Sequence, residues 1–231
     1  MGAGEGSVYE ALRGQISSTL QGASLIEQAD GRARLIQATV EVSRVASGIL
    51  DPGELMEEIV SLIRERFDLY YVGLFLVDQA EKEISALDRW AYHQAGTSEA
   101  GRKMRKRRHK LKVGGGSMVG QCVATGEPCI AQNVDEEAAR FANPLLPETR
   151  SELALPLVSR GQIIGALSIQ SAKQAAFTEE GIAIFQTMAS QLAHSIENAY
   201  LLEETQRAME ELKAVQRRYI REGWSRYLDK K

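Results

Sequence analysis

The stretch Ser151–Ser171, SELALPLVSRGQIIGALSIQS, constrains this chain more than any other. Apolar residues recur on both sides of the polar-Gly pair Arg160-Gly161, and small and β-branched residues fill the middle, which predicts two strands joined by a tight turn. Pro156 falls in mid-run and has no N–H for a ladder, so the first strand belongs at an edge or beside a bulge. The second is nearly all apolar (Ile163, Ile164, Ala166, Leu167, Ile169), so both its faces must be covered. The segment that follows, AFTEEGIAIFQTMASQLAHSIENAYLLEETQ, has the period of a long amphipathic helix. Thr178 is placed to cap it, with Glu179 and Glu180 in the first turn, where the helix dipole favours negative charge. A hairpin feeding a long exit helix is a geometry that passes events at a sheet into a helix.

The 231 residues are 44% hydrophobic and 26% charged, the balance of one ordinary soluble domain with helical extensions. A net charge of −3 gives no expectation of a nucleic-acid partner. No apolar run is long enough to span a bilayer and the N-terminus lacks a signal-peptide layout, so the expectation is a cytoplasmic protein without membrane insertion. Two cysteines, Cys122 and Cys129, make neither a disulfide framework nor a metal set.

Residues 1–31 read as a flexible start and a helical lead-in (Val8, Leu12, Ile16, Leu20) weakened by Gly14, Gly22 and Gly31. From Arg32 the signal sharpens, with Leu35, Ala38, Val42, Val45 and Ile49 stepping by three and four. Asp51-Pro52-Gly53-Glu54 opens the next helix, roughly 52–66, with Asp51 as N-cap and Pro52 at the first helical position. Tyr70–Asp78 reads as a strand with Glu83–Trp90 as its hairpin partner. Ala91–Arg108 reads as a polar loop ending in RKMRKRRHK. That run suits either a nucleic-acid or anionic-lipid patch or a solvated hairpin whose cations guard an edge strand, and the lack of interleaved aromatics favours the second. His109–Val113 is a short strand, Gly114-Gly115-Gly116 a break, and Ser117 the cap of a short helix ending at Gly126. A helix start of this kind presents free N–H groups to an anion, but the Lys-Ser/Thr of a triphosphate loop is missing. Cys129–Val134 is a further strand, Asp135–Arg140 an acidic turn of helix, and Phe141–Pro147 a loop placed to lid a pocket.

The motifs S-E-x-A-x-P-L, G-x-I-I-G-x-L-x-I-x-S and F-T-E-E resemble the C-terminal half of a GAF domain, and the resemblance extends back to about Arg32. It implies an α+β, profilin-like fold: a six-stranded antiparallel sheet with helices on both sides and long N- and C-terminal helices. The domain then spans 32–198, a coiled-coil exit helix 199–222 and a tail 223–231. Similar folds host cyclic-nucleotide, bilin, haem and small-anion sensing and one reductase, so function must be argued from the site. Against the free methionine sulfoxide reductases, the pocket aromatics fall on Tyr71 and Phe75 and the substrate-holding carboxylates on Glu152, Ser168 and Gln170. The reductase cysteine positions fall on Leu145 and near Val119 and His109. One acid of three is kept and no cysteine, so there is no thiolate nucleophile. Cys122 and Cys129 read instead as buried core thiols.

Other family ligands fare no better. Neither cysteine is followed by the His of bilin attachment, Gly181-Ile182 replaces the Asp-Glu of cyclic-nucleotide binders, and His93, His109 and His194 sit in loop, edge and exit-helix contexts. No catalytic residue, metal ligand or cofactor is therefore assigned. The candidate ligand set is Tyr71, Phe75, Ser117, Phe141, Glu152, Ser168 and Gln170, lining either a small cavity or one filled by its own side chains.

Leu202, Thr205, Met209, Leu212, Gln216 and Tyr219 step 3-4-3-4-3, a coiled-coil seam diluted by two polar positions. The expectation is a parallel homodimer through Leu35, Val42, Ile49, Leu202, Met209 and Leu212, with Gly223 breaking the helix. The chain then reads as a non-catalytic sensory module, a homodimer with a possible small-molecule ligand, relaying to a downstream output domain. A reductase and a ligand-free spacer are the rival readings.

Overall fold

The computed structural model describes residues 36–78, 89–134 and 143–228, with side chains as far as Arg221. The chain divides into two compact units, 1–41 and 42–231. In the first, the described residues 36–41 are helical, with Ile36 and Val40 exposed. The second unit holds the sheet and the site.

Helix α1 (36–48) is followed by α2 (Pro52–Arg66), β1 (Tyr71–Val77), β2 (Trp90–Gly96), α3 (Ser98–Lys106), β3 (Lys110–Lys112) and α4 (Met118–Thr125). Strands β4 (Cys129–Ala131), β5 (Ser151–Ser159) and β6 (Gln162–Ser171) and the 50-residue helix α5 (Glu179–Leu228) complete it. The strands form one antiparallel sheet in the order β3-β2-β1-β6-β5-β4. This is the α+β architecture expected.

Alternation sorts the side chains of the central strands. Val72, Leu74, Leu76, Leu153, Leu155, Leu157, Leu167 and Ile169 pack with α2 and α5. Phe75, Ala154 and Ala166 point the other way, into a cluster with Val119, Cys122 and Val123 of α4. Both faces are covered, hence the unbroken apolar run of β6.

The local signals behave as physical chemistry requires. The Asp51 carboxylate accepts from Glu54 N–H at 2.8 Å, Ser117 Oγ from Gly120 N–H at 3.0 Å, and Thr178 Oγ1 from Gly181 N–H at 3.2 Å. Arg160 and Gly161 both have positive φ, 49° and 76°, the two-residue turn whose twist suits a hairpin. Pro156 is tolerated because β4 pairs only with Glu152–Ala154, so β5 becomes the sheet edge beyond that point.

Four expectations need correction. The partner of β1 is Trp90–Gly96; most of the predicted Glu83–Trp90 strand lies outside the described residues. The alternation of WAYHQAG was hidden because its inward residues are Ala91, His93 and Ala95, which carry little apolar signal. Ser98–Lys106, predicted as loop, is α3; its buried residues are Gly101 and Met104, too few to write an apolar period. Helix α5 runs through Gly223 to Leu228. Val42 is fully buried in its own domain's core with Ala46, so its side chain faces inward, and Ile49 packs part-buried against that core. Leu35 lies outside the described residues.

Two devices shape the sheet near the site. The β1–β2 register slips between Leu74 and Phe75, which pair with Ala95 and His93. Gln94 is thereby left over as a bulge, and it lets His93 join Phe75 on the α4 side while Ala95 joins the α2 side. Further along, Gly73 pairs with Gly96. A Cβ on Gly96 would lie 2.6 Å from the Tyr71 hydroxyl oxygen, so the paired glycines make the niche in which that hydroxyl sits.

Candidate functional site

Register places the candidate residues in rows. Tyr71 of β1 pairs with Gln170 of β6, which pairs with Glu152 of β5. The next row on the same face is Gly73–Ser168–Ala154, and the next Phe75–Ala166–Pro156. Tyr71, Phe75, Ser117, Glu152, Ser168 and Gln170 all line one cavity of about 210 Å3. Phe141 lies outside the described residues. The cavity is closed by Met104 of α3, by His109 and Leu111, by Met118 and Val119 of α4, and by Asn143, Pro144 and Leu146.

The polar groups form a chain. Thr149 Oγ1 donates to Gln170 Oε1 at 2.6 Å, Gln170 Nε2 donates to Ser168 Oγ at 3.3 Å, and Ser168 Oγ donates to Glu152 Oε1 at 3.3 Å. Glu152 is 8% exposed. Burial pushes its carboxyl up to about 7, only partly offset by the Ser168 and Gln170 hydrogen bonds. Near neutrality it is poised between acid and carboxylate. The start of α4 also lines the cavity; the N–H groups of Met118 and Val119 precede the first backbone bond of α4, Gln121 N–H to Ser117 carbonyl at 2.9 Å, and so lie outside the helix's own bonding.

Tyr71 and His93 form the third polar element. The hydroxyl lies 2.9 Å from Nε2 of His93, and the imidazole stacks edge-on to Phe75. Burial, then neighbouring His109, lowers the His93 pKa to about 4, so the ring is neutral. Its Nδ1 is buried with no hydrogen-bond partner among the described residues. Burial, then Glu152, raises the Tyr71 pKa. Sequence reasoning placed His93 in a polar loop; the signal that could have found it is the small-residue alternation around it. Met104, Asn143 and Thr149 were also missed, since none stands in an apolar or catalytic pattern.

The reductase positions are filled otherwise. Val119 and His109 line the cavity, and Leu145 packs beside Tyr71, Met104 and Leu146. Neither cysteine lines it. Cys122 is fully buried, its thiol pushed up to about 12 by burial and then by Cys129. Cys129, half-buried and not fully covered as expected, has its pKa raised by burial and by Glu127 and Glu152. Among the described residues no group of His, Cys, Asp and Glu is arranged to hold a metal, and no helix is long and apolar enough to cross a membrane.

A GAF domain family profile matches residues 50–197. The chain belongs to the GAF domain family. Solved GAF domains share its fold: that of a phosphoenolpyruvate-protein phosphotransferase from Coxiella burnetii superposes with a TM-score of 0.64 at 19% identity, covering 74% of this chain and 98% of the other. The corresponding Acinetobacter domain gives 0.61 at 16% identity, over 72% and 94%. Free methionine-R-sulfoxide reductase from Neisseria meningitidis, in complex with its substrate, gives 0.60 at 21% identity, over 73% and 91%. At these identities the likeness is one of fold. No curated protein matches the chain significantly. GAF domains commonly serve as sensory modules, and the neighbours of this one include a reductase.

Proposed function

We propose that this GAF domain is a cytoplasmic, non-catalytic sensor whose cavity takes a small zwitterion of amino-acid size. The observation that carries the reading is the buried Glu152 carboxyl in a cavity that the N-terminus of α4 also lines. An ammonium group on Glu152 supplies the charge its burial lacks, and a carboxylate at Met118 and Val119 N–H meets the positive end of a helix. Phe75, Met104 and Leu146 supply apolar lining. At about 210 Å3 the cavity falls below the roughly 300–1,000 Å3 typical of drug-sized ligands. The described lining contains no thiol, which supports a binding role over sulfoxide reduction.

The route outward runs through the β5–β6 hairpin. Ser159 Oγ lies 2.9 Å from His194 Nδ1 and donates to the Glu197 carboxylate, which also pairs with Arg160 at 3.3 Å. The hairpin carrying Glu152 and Ser168 is thus tied to α5. Beyond Ala199 that helix leaves the core, exposing Met209, Leu212, Val215, Tyr219 and Ile220. A homodimer seam on this stripe, relaying to an output domain, completes the reading.

Thermal-shift and native mass measurements against the protein amino acids and small primary amines test it. At least one amino acid should bind, with affinity rising as pH passes about 7, and Glu152→Gln should weaken it by about tenfold or more. Absence of any shift, or unchanged binding by the variant, would overturn the proposal. Turnover of methionine sulfoxide with a thiol reductant would decide for the reductase.

A further inference from the structure

The basic stretch Arg102–Lys112 is not explained by protection of a sheet edge. Only Lys110 and Lys112 stand on the edge strand β3. Arg102, Lys103, Arg105, Lys106, Arg107 and Arg108 stand on α3 and the turn that ends it, all exposed. Some have partners: Lys103 pairs with Glu99 at 2.8 Å, Arg105 with Glu57, and Lys110 lies over the Trp90 ring at 4.2 Å. Lys106, Arg107 and Arg108 pair with no carboxylate among the described residues. The backbone adds an independent observation. Arg108 has a φ of 48°, the left-handed position that closes α3, where His109 N–H bonds to Met104 carbonyl at 2.9 Å. Glycine is the unstrained occupant of such a position, and a long side chain there is strained. A glycine would be more stable at 108, as at the other described non-glycine residues of positive φ, Asp68, Ser98, Arg160 and Ala175.

The rest of the molecule selects the partner. Of the 28 Lys and Arg set against 31 Asp and Glu, eight are concentrated in residues 102–112, so the remainder is strongly acidic. A nucleic acid or a lipid surface, being an extended polyanion, carries charge well beyond the reach of this ridge and meets repulsion from that remainder. Of the apolar residues of α3, Gly101 and Met104 are buried and Ala100 packs part-buried in the Tyr71–Met104 cluster, leaving no large apolar side to enter a bilayer. The groove that Arg105 and Arg108 share with α5 carries five carboxylates, Asp51, Asp78, Glu197, Glu203 and Glu204, against one further cation, Arg207, a balance that favours an anion on the outer ridge. A short acidic polypeptide meets only the ridge, because screening limits the interaction to about 8 Å at physiological salt. We infer that the outer face of α3 and its closing turn is a docking surface for a short acidic segment of another protein, with the guanidinium fork of Arg107 and the ammonium of Lys106 gripping carboxylates and Arg108 adding charge from the rim of the groove.

Fluorescence anisotropy with a labelled twelve-residue peptide of alternating Glu and Ser tests this on the full chain. The peptide should bind, weakening as salt is raised. Lys106→Gln/Arg107→Gln/Arg108→Gly should reduce its affinity by about tenfold or more. The control Lys213→Gln/Arg217→Gln/Arg218→Gln, which removes as much charge from exposed α5, should stay within about twofold of wild type. Because Arg108→Gly relieves backbone strain, the first variant is expected to melt no lower than wild type, so a lost fold does not mimic the result. No peptide binding, equal losses in both variants, or tighter binding of a single-stranded oligonucleotide or of phosphatidylserine-containing vesicles than of the peptide would overturn the inference.

Discussion

The hydroxyl of Tyr71 lies 2.9 Å from Nε2 of His93, two buried side chains meeting over a pair of facing glycines. Neither partner has water to fall back on, so breaking the bond leaves a stranded polar group. Tyr71→Phe should cost about 1–3 kcal/mol, and His93→Leu a similar amount. The double variant should be less destabilised than the sum by about 1 kcal/mol or more, as read from urea unfolding. Costs that simply add would show that the bond contributes nothing.

Glu152 and His93 pull stability in opposite directions with pH. Glu152 holds its proton to about 7 in the fold against an ordinary 4.5, so its contribution is full below 4.5 and is lost as pH rises to 7. His93, held at about 4 against 6.5, contributes fully above 6.5 and loses that contribution as pH falls towards 4. The two slopes oppose each other in the overlap, and only that of Glu152 persists up to 7. Glu152→Gln should therefore gain melting temperature relative to wild type between about pH 5 and about pH 8, by several degrees for roughly 3 kcal/mol. A flat difference would mean that the carboxyl is not held neutral by the fold.

Gly101 sits in α3 where Ala is the better helix former by about 1 kcal/mol. A Cβ there would overlap the carbonyl group of Gly96 on β2, and backbone does not yield as a flexible side chain does. The overlap wins, and Gly101→Ala should lower stability by about 1–3 kcal/mol. A thermal melt above that of wild type would show that α3 is not seated on the strand.

Leu212 is 70% exposed on α5, so Leu212→Lys leaves the sheet untouched. If the stripe with Met209 is a homodimer seam, the variant sets like charges face to face and sedimentation should show a weaker dimer. The same dimer affinity with an unchanged far-ultraviolet spectrum would place the seam elsewhere.

How much of this was legible depends on whether the signal was local. Caps, the Arg160-Gly161 turn, the β5–β6 hairpin and the long final helix each rest on a few consecutive residues, and all were predicted. That Tyr71, Glu152, Ser168 and Gln170 stand together was legible too, through their places in the family motifs, and all four line the cavity. Strand β2 and helix α3 were not, because Ala91, Ala95 and Gly101 are buried for their smallness and leave no hydrophobic pattern.

The sequence by itself determined the element types wherever turn chemistry and apolar period agreed, and with them the antiparallel β5–β6 hairpin and the cover on both faces of β6, while the six-stranded antiparallel sheet was implied by the resemblance to the GAF family. Only the tertiary structure decided which way α1 turns: Val42 and Ile49 have the spacing of a dimer seam, yet Val42 is fully covered by its own domain. Periodicity says that a helix has an apolar side and not what covers it. Tertiary structure likewise decided the His93–Tyr71 pair. A bulge at Gln94 sets the face His93 occupies, and two glycines distant in sequence make room for the bond. Both are properties of register between strands, which no single segment encodes.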